Sequence, residues 1–333
     1  MIVTETSTAV PDLSACQRER LPVSNALQRY GCLLVCALPS WIVQAVSANA
    51  GDVLGRDAQD LLGQTLDAIL PGTTVHDLRN VLQASMVSGG AERLLDQLID
   101  DGVERYDLTV HMAAANAIVE IIPRKGAEAL TADPVVLVKS MIGRLRRAPT
   151  LERFLHLAAS QVRAVTGYDR VMVYKFLPDG SGQVVAEALR SGLPPFLGLC
   201  YSASDIPAEA RGLYRRQWLR MVPDVTQSPV PLIGHSESEA DFSLSTLRSL
   251  SPVCREYPSN MDPAATLTIS VMVGDALWGL IACHHGSPRR ISSSTCAVAE
   301  LFGQIFSLQI EVKEQAQELA LAAQPAQTDE VTS

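Results

Sequence analysis

The chain has 333 residues, of which 47% are hydrophobic and 19% are charged, and its formal net charge is −9. This length is sufficient for two domains of ordinary size with substantial cores. The acidic balance argues against a nucleic-acid-binding surface, because phosphate contacts require clustered Lys and Arg. There is no apolar run of about 18 residues and no N-terminal pattern typical of a secretory signal. We therefore expect a cytoplasmic protein without membrane contact.

The seven cysteines stand at positions 16, 32, 36, 200, 254, 283 and 296, with no CxxC spacing. An odd and scattered set favours reduced thiols over a disulfide framework or a zinc site. Cys32 and Cys36 lie four residues apart on a predicted strand, and we expect both to be part of the core. No metal site is predicted.

The first part of the chain is predicted to contain a polar N-terminal arm, residues 1–29, and one domain, residues 30–126. Hydrophobic alternation and turn residues predict its strands and short helices. The strands are predicted at 32–38, 41–46, 103–112 and 117–123, and the helices at 57–63 and 74–88. A mixed sheet with short helices on one face resembles a PAS domain.

The second part is predicted to form another α+β domain over residues 135–293. Its helices are predicted at 135–147 and 150–166, and its strands at 168–177, 183–189, 265–273 and 277–284. Residues 222–241 are rich in Pro, Ser, Asp and Glu and have no periodicity, which predicts a long loop. This order of elements resembles a GAF domain.

The last segment, residues 294–321, is predicted to be one helix with an a/d pattern of about three heptads. The apolar residues of the pattern are Val298, Leu301, Ile305, Leu308, Val312 and Leu319. Such a seam favours a parallel homodimer over a purely internal core helix. The tail, residues 322–333, has the composition of a disordered segment.

Residues 201–211 and the cationic residues after them form the most informative stretch of the sequence. Asp205 stands two residues before Pro207, a proline that suits the first turn of a short helix. The string resembles the chromophore-pocket motif of phytochromes, in which Asp-Ile-Pro lies against a linear tetrapyrrole. Two further strings resemble phytochrome strands at the tetrapyrrole D ring. Residues 168–174 resemble the strand that puts a tyrosine beside this ring, and residues 278–285 resemble the strand whose first histidine contacts its carbonyl.

The resemblance extends over about residues 16–320 and implies a set of pocket residues. Arg220 and Arg248 match the arginines that pair with the bilin propionates, since guanidinium groups bind carboxylates bidentately. Thr266 and Thr268 lie on one face of a strand and match hydroxyl donors to a propionate. The implied chromophore-binding residues are Tyr174, Tyr201, Asp205, Ile206, Pro207, Tyr214, Arg220, Arg248, Ser251, Cys254, Thr266, Thr268 and His284. Taken singly, the arginines could be surface cations and the threonines ordinary β-formers.

Cys16 matches the position at which bacterial phytochromes attach biliverdin through a thiolate. A departure stands at Cys254, where the family pattern has a histidine that can carry positive charge and cysteine cannot. Cys254 is thus an alternative attachment thiol, displaced by one residue from the plant-type position. A third interpretation is a bilin-free redox sensor that uses Cys16, Cys200 and Cys254.

The resemblance implies the PAS–GAF input module of a bacteriophytochrome, which binds biliverdin, senses red and far-red light and has an atypical pocket. It also implies a figure-eight knot, in which the N-terminal arm passes through the 222–241 loop. PHY and histidine-kinase domains are expected in cis beyond this chain. The sequence contains no kinase ATP-binding motif, P-loop or nucleophile elbow, so the chain is not expected to be an enzyme. Cyclic-nucleotide binding, another use of GAF domains, has no motif here.

Overall fold

A computed structural model of the chain describes residues 26–99, 102–128, 130–203, 206, 208–234, 241–249 and 263–322. In chain order the strands are β1 (Ala26–Leu27), β2 (Cys32–Ala37), β3 (Ile42–Ser47), β4 (Glu92–Gln97), β5 (Tyr106–Ala113), β6 (Asn116–Pro123), β7 (Arg170–Phe176), β8 (Gly182–Leu189), β9 (Cys200–Tyr201), β10 (Leu219–Val222), β11 (Val230–Gly234), β12 (Ala265–Val273) and β13 (Ala276–His285). The helices are α1 (Ala50–Leu54), α2 (Ala58–Leu61), α3 (Gly72–Ser88), α4 (Pro134–Leu145), α5 (Leu151–Thr166), α6 (Ala208–Arg216) and α7 (Ser293–Ala322), with a 3-10 helix at Leu66–Ala68.

The strands form two antiparallel sheets, which confirms the predicted α+β class. The first sheet has the order β1-β11-β3-β2-β6-β5-β4, and the second has the order β10-β12-β13-β7-β8-β9. The first sheet packs against α1, α2 and α3, and Cys32 and Cys36 are fully buried in its core. Burial raises the pKa of these thiols, to about 11 for Cys32 and about 12 for Cys36.

Strand β11 corrects the prediction of a continuous loop at 222–241. It lies in the sequence of the second domain but pairs with β3 and β1 of the first sheet. Residues 26–30 lie beside it, and the Gln28 amide donates to the carbonyls of Met221 (3.0 Å) and Thr246 (3.2 Å). Residues 26–30 are therefore held by segments on both sides of β11. The predicted knot depends on residues 1–25, outside the described residues, and stays a prediction.

The core of the second domain lies between its sheet and helices α4, α5 and α7. Helix α5 is capped at its start by Thr150, whose hydroxyl accepts from the Arg153 backbone N–H (3.2 Å), and at its end by Gly167, which has a φ of 67°. These are the capping residues that helix termini favour, because hydroxyl oxygens accept from exposed N–H groups and glycine adopts positive φ. The apolar face of α5 carries Phe154 and Val162 into this core.

Helix α7 presents two apolar faces. Phe302, Phe306 and Ile310 pack into the core of the second domain, and Gly303 fits closely over Ile269. Four residues of the predicted seam are exposed instead, at 45% for Leu301, 70% for Leu308, 65% for Val312 and 71% for Leu319. Val298 belongs to the internal face, with 2% exposure, so its assignment to the seam is wrong.

Among the helices that the structure describes, none has the length and hydropathy needed to cross a membrane.

Candidate functional site

The two faces of the second sheet have different chemistry because residues alternate along each strand. Leu267, Ile269 and Cys283 point toward the helices and are fully buried. The opposite face carries Thr266, Thr268 and His284, together with further residues of β7, β10 and β13. We call this surface the site face; it lies away from the helical core.

The strand register places the polar residues predicted for the site in adjacent rows. His284 pairs with Thr266 on one side and with Arg170 on the other. Thr268 pairs with Arg220, which brings a second hydroxyl and a guanidinium to the same face. Four of the residues predicted from the sequence thus lie together.

An aromatic cluster covers the neighbouring part of the site face. Tyr174 is 8% exposed, and its ring centroid lies 6.0 Å from that of Tyr201. The cluster contains Met172, Tyr174, Phe176, Val184, Phe196, Tyr201, Ile206, Tyr214, Leu277, Leu280 and Ala282. The structure therefore brings four predicted pocket residues, Tyr174, Tyr201, Ile206 and Tyr214, into one apolar cluster.

Gly182 supports the position of Tyr174, a role that the sequence analysis missed. A β-carbon at residue 182 would overlap the Tyr174 ring. A glycine in a strand often marks such a close approach. Gly182, the first residue of β8, was therefore a signal that the sequence analysis could have used.

Arg220 and Arg248 meet the segment that runs toward the predicted pocket helix. The Arg220 guanidinium donates to the carbonyl of Ser249 at 2.9 Å and to that of Arg248 at 3.4 Å. Arg248 is 4% exposed, and its backbone forms an isolated bridge with Leu27. Both arginines lie at the contact between the two domains, where backbone carbonyls fix the Arg220 head group.

Arg211 connects the motif segment to the turn between β7 and β8. Its guanidinium donates to the carbonyl of Ile206 (2.8 Å) and to that of Gly180, and it lies over the Phe176 ring at 4.5 Å. A planar guanidinium satisfies several carbonyls at once and stacks on an aromatic ring. Arg211 therefore holds Ile206 beside the aromatic cluster.

A buried ion pair, Arg170 with Glu187, fixes the loop before β9. The Arg170 guanidinium donates to Glu187, lies 3.7 Å from the Phe196 ring centroid and donates to the Pro194 carbonyl at 2.6 Å. The other Glu187 oxygen accepts from the backbone N–H groups of Phe196 (2.9 Å) and Leu197 (3.2 Å). Sequence reasoning missed this pair, since two opposite charges on neighbouring strands are a weak signal.

His284 has a strongly perturbed environment on the site face. Burial, together with the smaller effect of the nearby positive charge of Arg170, lowers its pKa to about 4. The Nδ1 atom of its ring is buried and has no hydrogen-bond partner among the described residues. His284 is therefore neutral at pH 7 and has an unused ring nitrogen.

We expect acid to destabilise the folded chain partly through His284. The unfolded histidine binds a proton below its ordinary pKa of 6.5, whereas the folded one does so only near pH 4. Stability from this residue is complete above pH 6.5 and falls as pH decreases toward 4. Between pH 7 and 4.5, wild type should lose on the order of 2 kcal/mol more than His284→Asn in urea unfolding.

The matched control for this experiment is His156→Asn, because His156 is exposed on α5. This variant should follow the wild-type pH dependence. Equal pH dependence of wild type and His284→Asn would contradict the assignment of a buried, neutral His284.

The described thiols differ in exposure. Cys200 is exposed on β9, and its Sγ lies 3.9 Å from the Gly198 carbonyl oxygen. Cys283 and Cys296 are buried, and burial raises both thiol pKa values, to about 12 for Cys296. Five predicted site residues lie outside the described residues: Cys16, Asp205, Pro207, Ser251 and Cys254.

Among the residues that the structure does describe, no cluster of His, Cys, Asp and Glu could hold a metal ion.

Two known domain families match successive parts of the chain. The PAS fold family (PAS_2) matches residues 16–124, and the GAF domain family matches residues 150–310. Cyanobacterial phytochrome B of Nostoc sp. is 34% identical over 319 residues, which are 92% of this chain and 42% of the relative. The bacteriophytochrome of Pseudomonas aeruginosa is 32% identical, over 93% of this chain and 42% of the relative. The chain thus spans less than half the length of these relatives.

Solved structures are similar over most of the chain. The chromophore-binding domain of the Stigmatella aurantiaca bacteriophytochrome is 32% identical with a TM-score of 0.79, covering 93% of this chain and 100% of the other. The chromophore-binding domain of an unusual bacteriophytochrome from R. palustris is 34% identical with a TM-score of 0.79, covering 90% and 99%. The chain therefore belongs to the phytochrome family and consists of the PAS and GAF domains of that family.

Proposed function

We propose that this chain is the photosensory input module of a bacteriophytochrome and binds the linear tetrapyrrole biliverdin on the site face. One observation carries the proposal: the aromatic cluster around Tyr174 adjoins the polar row of Thr266, Thr268, Arg220 and His284. A bilin combines an extended apolar ring system with two propionates. The two parts of the site face match these two parts of the ligand.

Each described residue has a definite role in this proposal. Tyr174, Tyr201 and Tyr214 wall the apolar slot and exclude water. The Thr266 and Thr268 hydroxyls and the Arg220 guanidinium bind a propionate, since all three groups donate. Neutral His284 donates a hydrogen bond from its unused ring nitrogen to a carbonyl of the end ring. When bound, the bilin absorbs red and far-red light.

The remaining predicted contacts belong to the same proposal. Asp205 accepts from the pyrrole N–H groups through its backbone carbonyl, and Pro207 and Ser251 line the slot. Arg248, buried at the domain contact, pairs with a propionate after its segment adjusts. Cys16 forms the covalent bond to the bilin, and Cys254 makes the pocket atypical. Red or far-red excitation is transmitted to PHY and histidine-kinase domains in cis.

Mixing the chain with biliverdin should produce a red or far-red absorption band and a zinc-fluorescent covalent adduct. Cys16→Ser should abolish the adduct, whereas Cys254→Ser should retain it. Cys200→Ser is the matched control, because Cys200 is exposed outside the aromatic cluster. No band with wild type would refute the photoreceptor proposal. An adduct that survives Cys16→Ser and disappears in Cys254→Ser would reassign the attachment thiol.

We also propose that the chain forms a homodimer through α7. The exposed residues Leu301, Leu308, Val312 and Leu319 continue one heptad seam on the side away from the core. Leu308→Lys with Val312→Lys should convert the dimer to a monomer in size-exclusion chromatography with light scattering. Two lysines in a dimer seam leave buried charges without partners.

Val87→Lys is the control for the dimer experiment, since Val87 is 91% exposed on α3. It should leave the mass unchanged. A dimer that persists in the double variant, or a monomeric wild type, would contradict the proposed interface.

A bilin-free thiol sensor is the alternative function. Its candidate thiols are Cys16, Cys200 and Cys254, of which the structure describes exposed Cys200. Thiol titration separates the two functions, because a sensor changes its count of reactive thiols with reductant and a bilin-binding module does not.

A further inference from the structure

A second cleft lies on the opposite side of the second domain from the site face. It is formed by α4, α5, the linker at residues 130–132 and the residues that precede and begin α7, and its volume is about 250 Å³. Apolar side chains supply much of its lining, including Leu137, Met141 and Ile291. Small-molecule sites combine apolar walls with placed polar groups, and polar side chains such as Gln161, Thr166 and Arg289 also line this cleft.

Gln161 is the unusual residue of this cleft. It lies on α5 with 5% exposure, and among the described residues neither its Nε2 nor its Oε1 has a hydrogen-bond partner. A buried amide without partners is unfavourable, because it has lost water and gained nothing in exchange. The terminal torsion of glutamine is broad, so the amide can turn toward the cleft without movement of the helix.

Three other polar side chains at the cleft, those of Arg289, Thr166 and Thr295, already have partners. The Arg289 guanidinium pairs with Glu128 and donates to the Thr166 carbonyl at 3.1 Å. The Thr166 hydroxyl donates to the Val162 carbonyl at 2.8 Å, and the Thr295 hydroxyl lies 2.9 Å from that of Ser292. Arg144, the other charged lining residue, is exposed. The buried part of the cleft therefore holds a neutral Gln161 amide without a hydrogen-bond partner among the described residues, beside a compensated Arg289–Glu128 pair.

We infer that this cleft binds a small, neutral and mainly apolar molecule with a carboxamide or lactam group. An amide offers a donor and an acceptor side by side, and only a ligand group with both can satisfy both. A ketone would use the N–H alone and leave Oε1 unpaired. An apolar ligand would leave both atoms unpaired.

Benzamide and acetophenone test this inference, because they have the same shape and differ in an NH₂ group against a CH₃ group. Each is titrated into the deuterated chain, and backbone amide signals of Leu130, Gln161 and Thr295 are followed by NMR. Benzamide should shift these signals and bind at least about fivefold tighter than acetophenone, as one satisfied buried acceptor implies. Absence of shifts, or equal affinity of the two molecules, would overturn the inference.

Gln161→Leu supplies the second measurement, with Gln309→Leu on α7 as its control. The Gln161 variant should abolish the preference for benzamide and raise the Tm by about 2 °C or more, since it removes an unpaired buried amide. Gln309→Leu should keep the preference. A Tm that falls by several degrees in Gln161→Leu would show a structural role for the amide and contradict the ligand site.

Discussion

Replacement of Glu187 by Gln should lower the free energy of unfolding by about 3 kcal/mol, because Arg170 would stay buried without a counter-charge. The Arg170 side chain is only 6% exposed and the Glu187 side chain only 2%. The change also weakens the acceptor that holds the N–H groups of Phe196 and Leu197. Urea unfolding followed by tryptophan fluorescence measures the effect, since Trp218 and Trp278 lie in the second domain.

A matched pair separates burial from charge in this experiment. Asp67 and Arg79 form an ion pair at 2.7 Å, but the side chains are 46% and 43% exposed. Asp67→Asn should therefore cost less than about 1 kcal/mol. The double variant Arg170→Met with Glu187→Gln should be less destabilised than Glu187→Gln alone, because no charge remains buried. Equal losses in the Glu187 and Asp67 variants would refute the importance of the buried pair.

Replacement of Glu120 by Gln should weaken both folding and bilin binding. Glu120 is fully buried on β6. Its carboxylate accepts from the Ser245 hydroxyl, from the Leu247 N–H (2.7 Å), and from the N–H (3.1 Å) and hydroxyl (2.6 Å) of Thr246. A glutamine would direct its NH₂ group at some of these donors. We expect a loss of about 2–4 kcal/mol in stability, since hydrogen bonds to charged groups are broken.

The effect on the ligand follows from the position of the clamped segment. Residues 245–247, which Glu120 holds, directly precede Arg248, and the Ser249 carbonyl accepts from Arg220. A displaced segment moves both proposed propionate partners, so the affinity for biliverdin should fall by about tenfold or more, equivalent to about 1.4 kcal/mol. Glu92→Gln is the control, because Glu92 on β4 accepts one exposed hydrogen bond, from Ser88 (3.1 Å). Unchanged affinity in Glu120→Gln would contradict this coupling between the domains.

Local patterns identified most elements and much of the candidate site. Strand β12 agrees with the prediction at both ends, because residues 265–273 alternate between core and site face. The same alternation predicted that Thr266 and Thr268 share one face of β12, and the strand register confirms that both lie on the site face. Five strands were missed, namely β1, β4, β9, β10 and β11. They are short or polar, and their hydrogen bonds come from neighbours distant in sequence.

The sequence by itself indicated the phytochrome family, the α+β class and the shared strand face of Thr266 and Thr268, because motif spacing and strand alternation are local properties. Only the tertiary structure decided that β11 joins the first sheet, that Glu120 holds the 245–247 segment, and that Arg170 pairs with Glu187. It also decided which side of α7 faces the core, since both sides are apolar. Such contacts join residues far apart in the chain, and packing of the whole domain selects them.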